Sequence, residues 1–265
     1  MNLNKPKGIQ LISLHKSGST WVHSYIHKKY RRFGVTLPPS NLYSEFFTTE
    51  DREDNDHDFV KQPIPNRIKL LEDLRSFGLE LAHKAHVPEI IDIWPWFKEF
   101  YKDHDVLVLK RRAIWSHWLN ILFFYCIKAV VGTEVVKGND NEGYTYITPS
   151  KVEDPRAEDI LKSTIHEYKI EFKFHNHCWQ NFIKNIRFLN DVVIEELDSA
   201  QVIFVEDITT EWLEERFRIK VKKTTTPFKT LNFESYFKPK ELQVVKDIFN
   251  ERFDNEFRYM GYELK

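Results

Sequence analysis

Apolar positions along this chain fall into two alternating periods. Ile9 to Leu14 is a compact apolar run of strand type. From about Thr20 the spacing turns helical, with Trp21, Tyr25 and Ile26 on one face. Ile68 to Phe77 reads as a helix closed by Gly78, and Leu79 to Ala85 alternates as a strand does. Pro88 breaks the pattern, and Ile90 to Tyr101 resumes it as a short helix rich in aromatics. Asp105 to Leu109 is a buried-strand signal bounded by charge. A long apolar helix then starts near Arg112 or Ala113. Helical spacing returns from about Ala157 to Leu189, with room for one break. Val202 to Val205 gives a fourth strand, and Leu213–Phe217 and Leu242–Phe253 sit in two further helices.

Strands alternating with helices predict an α/β fold, a parallel β-sheet flanked by helices on both faces. Ligands in such sheets lie beyond the carboxyl ends of the strands. That rule gathers the loops after Leu14, Ala82, Leu109 and Val205 at one edge. Residues 36–65 carry Pro38-Pro39, an acidic run from Glu50 to Asp56, and Pro63 with Pro65. Residues 132–155 carry Gly138, Asn139, Asp140, Asn141 and Gly143. Both read as loop insertions within a single domain over 1–265, not as domain boundaries.

Composition narrows the partners. A net charge of -1 gives no electrostatic case for nucleic acid or an anionic membrane. The most apolar segment, Trp115 to Val131, is interrupted by His117, Asn120 and Lys128, so a buried helix is expected and no membrane span. The N-terminus lacks the apolar core of a signal peptide. Cys126 and Cys178 are the two cysteines, which fits a reducing, cytoplasmic setting and gives no disulfide framework.

The chemistry starts at Lys16-Ser17-Gly18-Ser19-Thr20-Trp21, between the first strand and its helix. Unpaired N–H groups in a first helical turn, with the helix dipole behind them, seat an anion, most often a phosphate. Lys16 adds a full charge, Gly18 permits close backbone approach, and Ser17, Ser19 and Thr20 bring hydroxyls. A triphosphate-binding loop needs its Lys after the glycines. Here Lys16 precedes Gly18, so an ATP-dependent kinase is disfavoured.

This segment resembles the 5′-phosphosulfate loop of PAPS-dependent sulfotransferases, K-[ST]-G-[ST]-T-[WF], where PAPS is 3′-phosphoadenosine-5′-phosphosulfate. Lys84-Ala85-His86-Val87-Pro88 is similar to the family's K-T-H-L-P segment, whose His is the general base. The resemblance implies a P-loop-like sulfotransferase fold, PAPS as donor, PAP as product and no metal. It makes His86 the base, with Lys16 on the bridging oxygen, Lys84 stabilising charge on the transferred sulfonate and Trp21 stacking on the adenine. An imidazole near neutral pH suits deprotonation of a hydroxyl. His83 is the second choice.

In the family, the third strand ends at an Arg, and a Ser follows eight residues later; both hold the 3′-phosphate. Here Arg112 plus eight is Asn120, with Ser116 as the alternative partner. The Asp-Pro or Asn-Pro after that Arg and the R-K-G segment are missing; Lys222, Lys223, Thr224 to Thr226 and Lys229 are the candidate substitutes for the latter. Val205-Glu206-Asp207-Ile208 resembles the family's y-E-D-L, its acids read as structural. The ending through Gly261-Tyr262 resembles the common y-x-x-x-G-Y close. His175 and His177 in a helix point about 200° apart, which disfavours a zinc site with Cys178.

The expected acceptor is a hydroxyl on a carbohydrate, a phenol or a small alcohol, its pocket drawn from 36–65 and 132–155. The alternative is a non-catalytic protein of the same fold that binds a nucleotide or sulfated ligand. Oligomeric state is not encoded in any pattern here.

Overall fold

The computed structural model describes residues 8–31, 47, 63–78, 81–121, 176–220, 234 and 239–264. The chain packs as two compact units, each drawn from two segments. The first comprises Met1–Arg111 and Asn185–Phe228, the second Arg112–Lys184 and Lys229–Lys265.

The first unit is built on a four-stranded sheet of β1 (Gly8–Ser13), β2 (Leu81–His86), β3 (Asp105–Lys110) and β4 (Ala200–Phe204). The strand order is β2-β1-β3-β4, and every pairing is parallel. All six residues of β1 are buried, as expected of a strand with a neighbour on each side and helices on both faces. Each strand lies within two residues of its predicted position.

Alternation sorts the sheet residues into two faces. Ile9, Leu11, Leu107 and Leu109 share one face and join a core with Val22, Tyr25 and Ile26 of α1 (Ser19–Arg31). Leu213 and Phe217 of α7 (Thr210–Phe217) complete that layer. The i, i+3, i+4 spacing of Val22, Tyr25 and Ile26 is what lets α1 present one apolar stripe. The opposite face meets α4 (Trp94–Tyr101), whose Trp94, Phe97, Phe100 and Tyr101 are buried. Arg216 of α7 pairs with Asp105 at the start of β3.

Several boundaries differ from the sequence expectation, each for a local reason. Helix α2 runs Ile64–Ser76, so Ile64 and Pro65 belong to a helix and not to the loop. Proline in a first helical turn loses no hydrogen bond that the turn would have made. The same rule applies to Pro88, which falls inside the short α3 (Val87–Ile90) instead of breaking the chain there. A 3-10 turn over Ile91–Ile93 links α3 to α4. Helix α2 closes with Gly78 at φ 75°, a left-handed C-terminal stop. The helix expected to end at Leu189 continues past it: α6 (Asn176–Arg187) runs into a π-helical stretch over Phe188–Val193 and a last turn at Ile194–Glu196. Val205–Asp207 forms a 3-10 turn after β4 instead of extending the strand.

In the second unit, helix α5 is described over 114–121. It packs Trp115 against Phe249 of α8 (Pro239–Glu256), ring centroids 5.0 Å apart, and Trp118 against Phe182 at 5.2 Å. Phe257 stacks on Phe249 and meets Tyr262 edge-on. Gly261, at φ 76°, turns the chain so that Glu263 pairs with Ala113. Among the described residues no helix is long and apolar enough to cross a membrane. Residues 36–46, 48–62 and 132–155, the candidate acceptor loops, lie outside the described residues, as do Lys222, Lys223, Thr224 to Thr226 and Lys229.

Candidate functional site

The loop leaving β1 is bent into a shape that few side chains accept. Lys16 has φ 61° and Gly18 φ 76°, both in the left-handed region. Glycine takes that conformation without cost, whereas a lysine there carries about 1–2 kcal/mol of local strain. The carbonyl of Gly18 accepts from the Trp21 and Val22 amides at 3.1 and 3.4 Å, which starts α1. The amides before them stay outside the helical ladder. Ser17 and Ser19 are buried; His15, Lys16 and Gly18 are half-buried.

Strand register brings the second loop to the first. Leu11 is paired with Lys84 and Ser13 with His86, so Lys84 and His86 lie on the α1 face at the carboxyl end of β2. Both are buried. Ser13 Oγ is 3.2 Å from His86 Nδ1. The His15 and His86 rings approach to 4.1 Å between centroids at 36°. His86 therefore touches the residue immediately before Lys16.

The main chain of His86 is held as well. Its N–H donates to Glu89 Oε2 at 2.8 Å, the reciprocal arm of a capping box at the start of α3. Glu89 also faces Arg67 of α2: burial pushes that guanidinium down, and the Glu89 charge works against the shift. Ser13, His15, Glu89 and Arg67 were not candidates from sequence. Two carried a readable signal. Ser13 is the polar position on an otherwise apolar strand face, and Glu89 stands three residues after His86.

His83 takes the other face of the sheet. Its Nδ1 lies 2.8 Å from the Tyr101 hydroxyl. Burial, with the nearby His104, pushes its pKa down to about 3, so it stays neutral. Trp21 packs against the α1-side core with its ring edge-on to Tyr25 at 6.5 Å. The structure describes the backbone of Thr20 at the start of α1.

The basic segment at the end of β3 divides three ways. Lys110 Nζ donates to Asn190 Oδ1 at 2.6 Å, and burial pushes its pKa down to about 8. Arg111 is buried, with its pKa pushed down to about 10 by desolvation against the pull of Glu206. Arg112 opens the second unit. It is half-exposed, and its Nε is 3.7 Å from a Glu263 carboxylate oxygen. Asn120 Nδ2 donates to the Ser116 carbonyl at 2.6 Å, so the Asn120 amide is spent inside helix α5.

Left-handed backbone at two loop positions, two buried serines and a lysine stand together at the start of α1, where a helix N-terminus favours an anion. Backbone amides, hydroxyls and a lysine suit an anionic group, and the His86 ring lies beside them against His15. The chain matches no protein-family model and no curated protein sequence.

Proposed function

We propose that this chain is a PAPS-dependent sulfotransferase of P-loop-like α/β fold, acting on a hydroxyl acceptor. One observation carries the reading: the His86 ring, at the carboxyl end of the second strand, lies against His15, the residue before Lys16. His86 and Lys16, 70 positions apart in the sequence, come to the same end of the sheet, which supports the reading. PAPS, when bound, supplies a sulfonate on a phosphate leaving group.

Each residue then has a defined task. The amides and hydroxyls of Ser17 to Thr20 bind and orient the phosphosulfate. Lys16 is a fixed cation beside the oxygen on which charge grows as its bond to sulfur breaks, and a preplaced charge lowers that barrier. Lys84 balances charge on the sulfonate. His86 takes the acceptor's hydroxyl proton as the new sulfur–oxygen bond forms, leaving a sulfate ester, an imidazolium and PAP. Trp21 supports the adenine.

The test is transfer of labelled sulfonate from PAPS across carbohydrate, phenol and small-alcohol acceptors. Lys16→Ala and His86→Ala should each lower turnover roughly a hundredfold or more while the fold survives. Transfer by purified His86→Ala at the parent rate removes His86 as base. Binding of PAP with no transfer to any acceptor favours the non-catalytic alternative.

A further inference from the structure

The end of the chain is clipped to the segment that opens the second unit. A 3-10 turn over Arg258–Met260 is followed by Gly261, whose left-handed φ of 76° glycine takes without strain. Tyr262 is then buried edge-on to Phe257. Glu263 pairs with Ala113 as one rung of a parallel ladder. Its N–H donates to the Arg112 carbonyl at 2.9 Å, and its carbonyl accepts from the Ile114 N–H at 3.1 Å. Both backbone groups of Glu263 are engaged in that clip, which delivers its carboxylate to Arg112.

The side chains meet more loosely than the backbones. Arg112 Nε lies 3.7 Å from Glu263 Oε1, outside hydrogen-bond range, and the two side chains are 31% and 43% exposed. An ion pair in that setting contributes little and is readily exchanged. A phosphate offers more charge than one carboxylate, and a guanidinium pairs two of its oxygens at once. We propose that Glu263 is an internal competitor for the anion that Arg112 takes. It occupies the guanidinium until a phosphate group displaces the carboxylate, and so sets how tightly that phosphate is held. This rests on the reading of Arg112 as the ligand of the 3′-phosphate. Glu263 touches no part of the nucleotide; it acts through Arg112.

The test is calorimetric binding of PAP and of adenosine 5′-phosphate to the intact chain. Both residues make further contacts, so the parent is compared with Glu263→Gln, Arg112→Ala and the double variant, a cycle that isolates their pair. Glu263→Gln should bind PAP roughly twofold to fivefold more tightly and leave adenosine 5′-phosphate unchanged. The gain should shrink as salt rises. In the Arg112→Ala background the same substitution should change neither affinity. An unchanged or weaker affinity for PAP in Glu263→Gln overturns the proposal. So does an equal gain for adenosine 5′-phosphate, or a gain that persists without Arg112; in each case the phosphate role of Arg112 stands. A parent that binds the two nucleotides alike, or a preference for PAP that survives Arg112→Ala, overturns that role and the competition with it.

Discussion

His83 and His86 share one strand and lie on opposite faces of the sheet. His83 is sealed against Tyr101 and kept neutral, whereas His86 meets Ser13 and His15 at the loop. An odd spacing on a strand always separates side chains in this way. Two histidines three positions apart in the sequence therefore have unrelated surroundings.

His83 should make the fold acid-sensitive. Its native pKa, about 3, lies below the 6.5 of an unfolded histidine, so the unfolded chain takes up the proton first. The stability that a neutral His83 contributes is complete above about pH 6.5 and is lost as pH falls toward 3. One proton corresponds to a slope of about 1.4 kcal/mol per pH unit. Urea unfolding at a series of pH values should show that slope, and His83→Gln should remove it. An unchanged slope in His83→Gln would mean that the acid sensitivity arises elsewhere.

Lys16 should trade stability for function. Lys16→Gly releases a left-handed lysine, so its urea midpoint should be no lower than that of Lys16→Ala, by up to about 1 kcal/mol. Both variants should lose transfer to the same extent, because both lack the charge. If glycine proves less stable than alanine here, the backbone strain assigned to Lys16 is not present in solution.

Glu89 holds the His86 amide and faces Arg67. Removing a capping partner costs about 1 kcal/mol, and taking the opposing charge from a buried guanidinium raises the cost to roughly 3 kcal/mol. Glu89→Gln retains an oxygen acceptor and should recover the capping share alone. A melting temperature for Glu89→Gln equal to the parent's would show that the charge on Arg67 needs no help from Glu89, and equal values for Glu89→Ala and Glu89→Gln would remove the capping share.

Arg111 and Arg112 should separate cleanly. Arg111 is among the largest fully buried side chains, so Arg111→Ala should destabilise by roughly 3 kcal/mol or more. The resemblance gives the 3′-phosphate to Arg112, which is half-exposed. Arg112→Ala should leave the melting temperature within a degree or two and weaken discrimination between PAPS and its analogue lacking the 3′-phosphate. Full discrimination in Arg112→Ala transfers that role to another cation.

The sheet was legible because buried parallel strands are short and largely apolar, as at Ile9–Leu14 and Asp105–Leu109. The Lys16–Thr20 loop and the Lys84–Pro88 segment were legible because each is contiguous. What the chain hid depends on pairings between distant segments. Ser13 beside His86 follows from register, Glu89 near Arg67 from the docking of α2, and the sorting of Lys110, Arg111 and Arg112 from which face each takes. Helix starts were misplaced where proline was read as a breaker, although Pro65 and Pro88 each sit in a first turn.

The position of β1 has a consequence for how the protein is made. The strand is translated before both of its partners, which begin at Leu81 on one side and at Asp105 on the other. Until both have left the ribosome, the two edges of β1 are open and the turn at Lys16 has nothing to hold it. The loop at Lys16 is thus made before the strands that hold it, and the nascent chain must keep a sticky apolar strand from wrong partners until β3 has emerged.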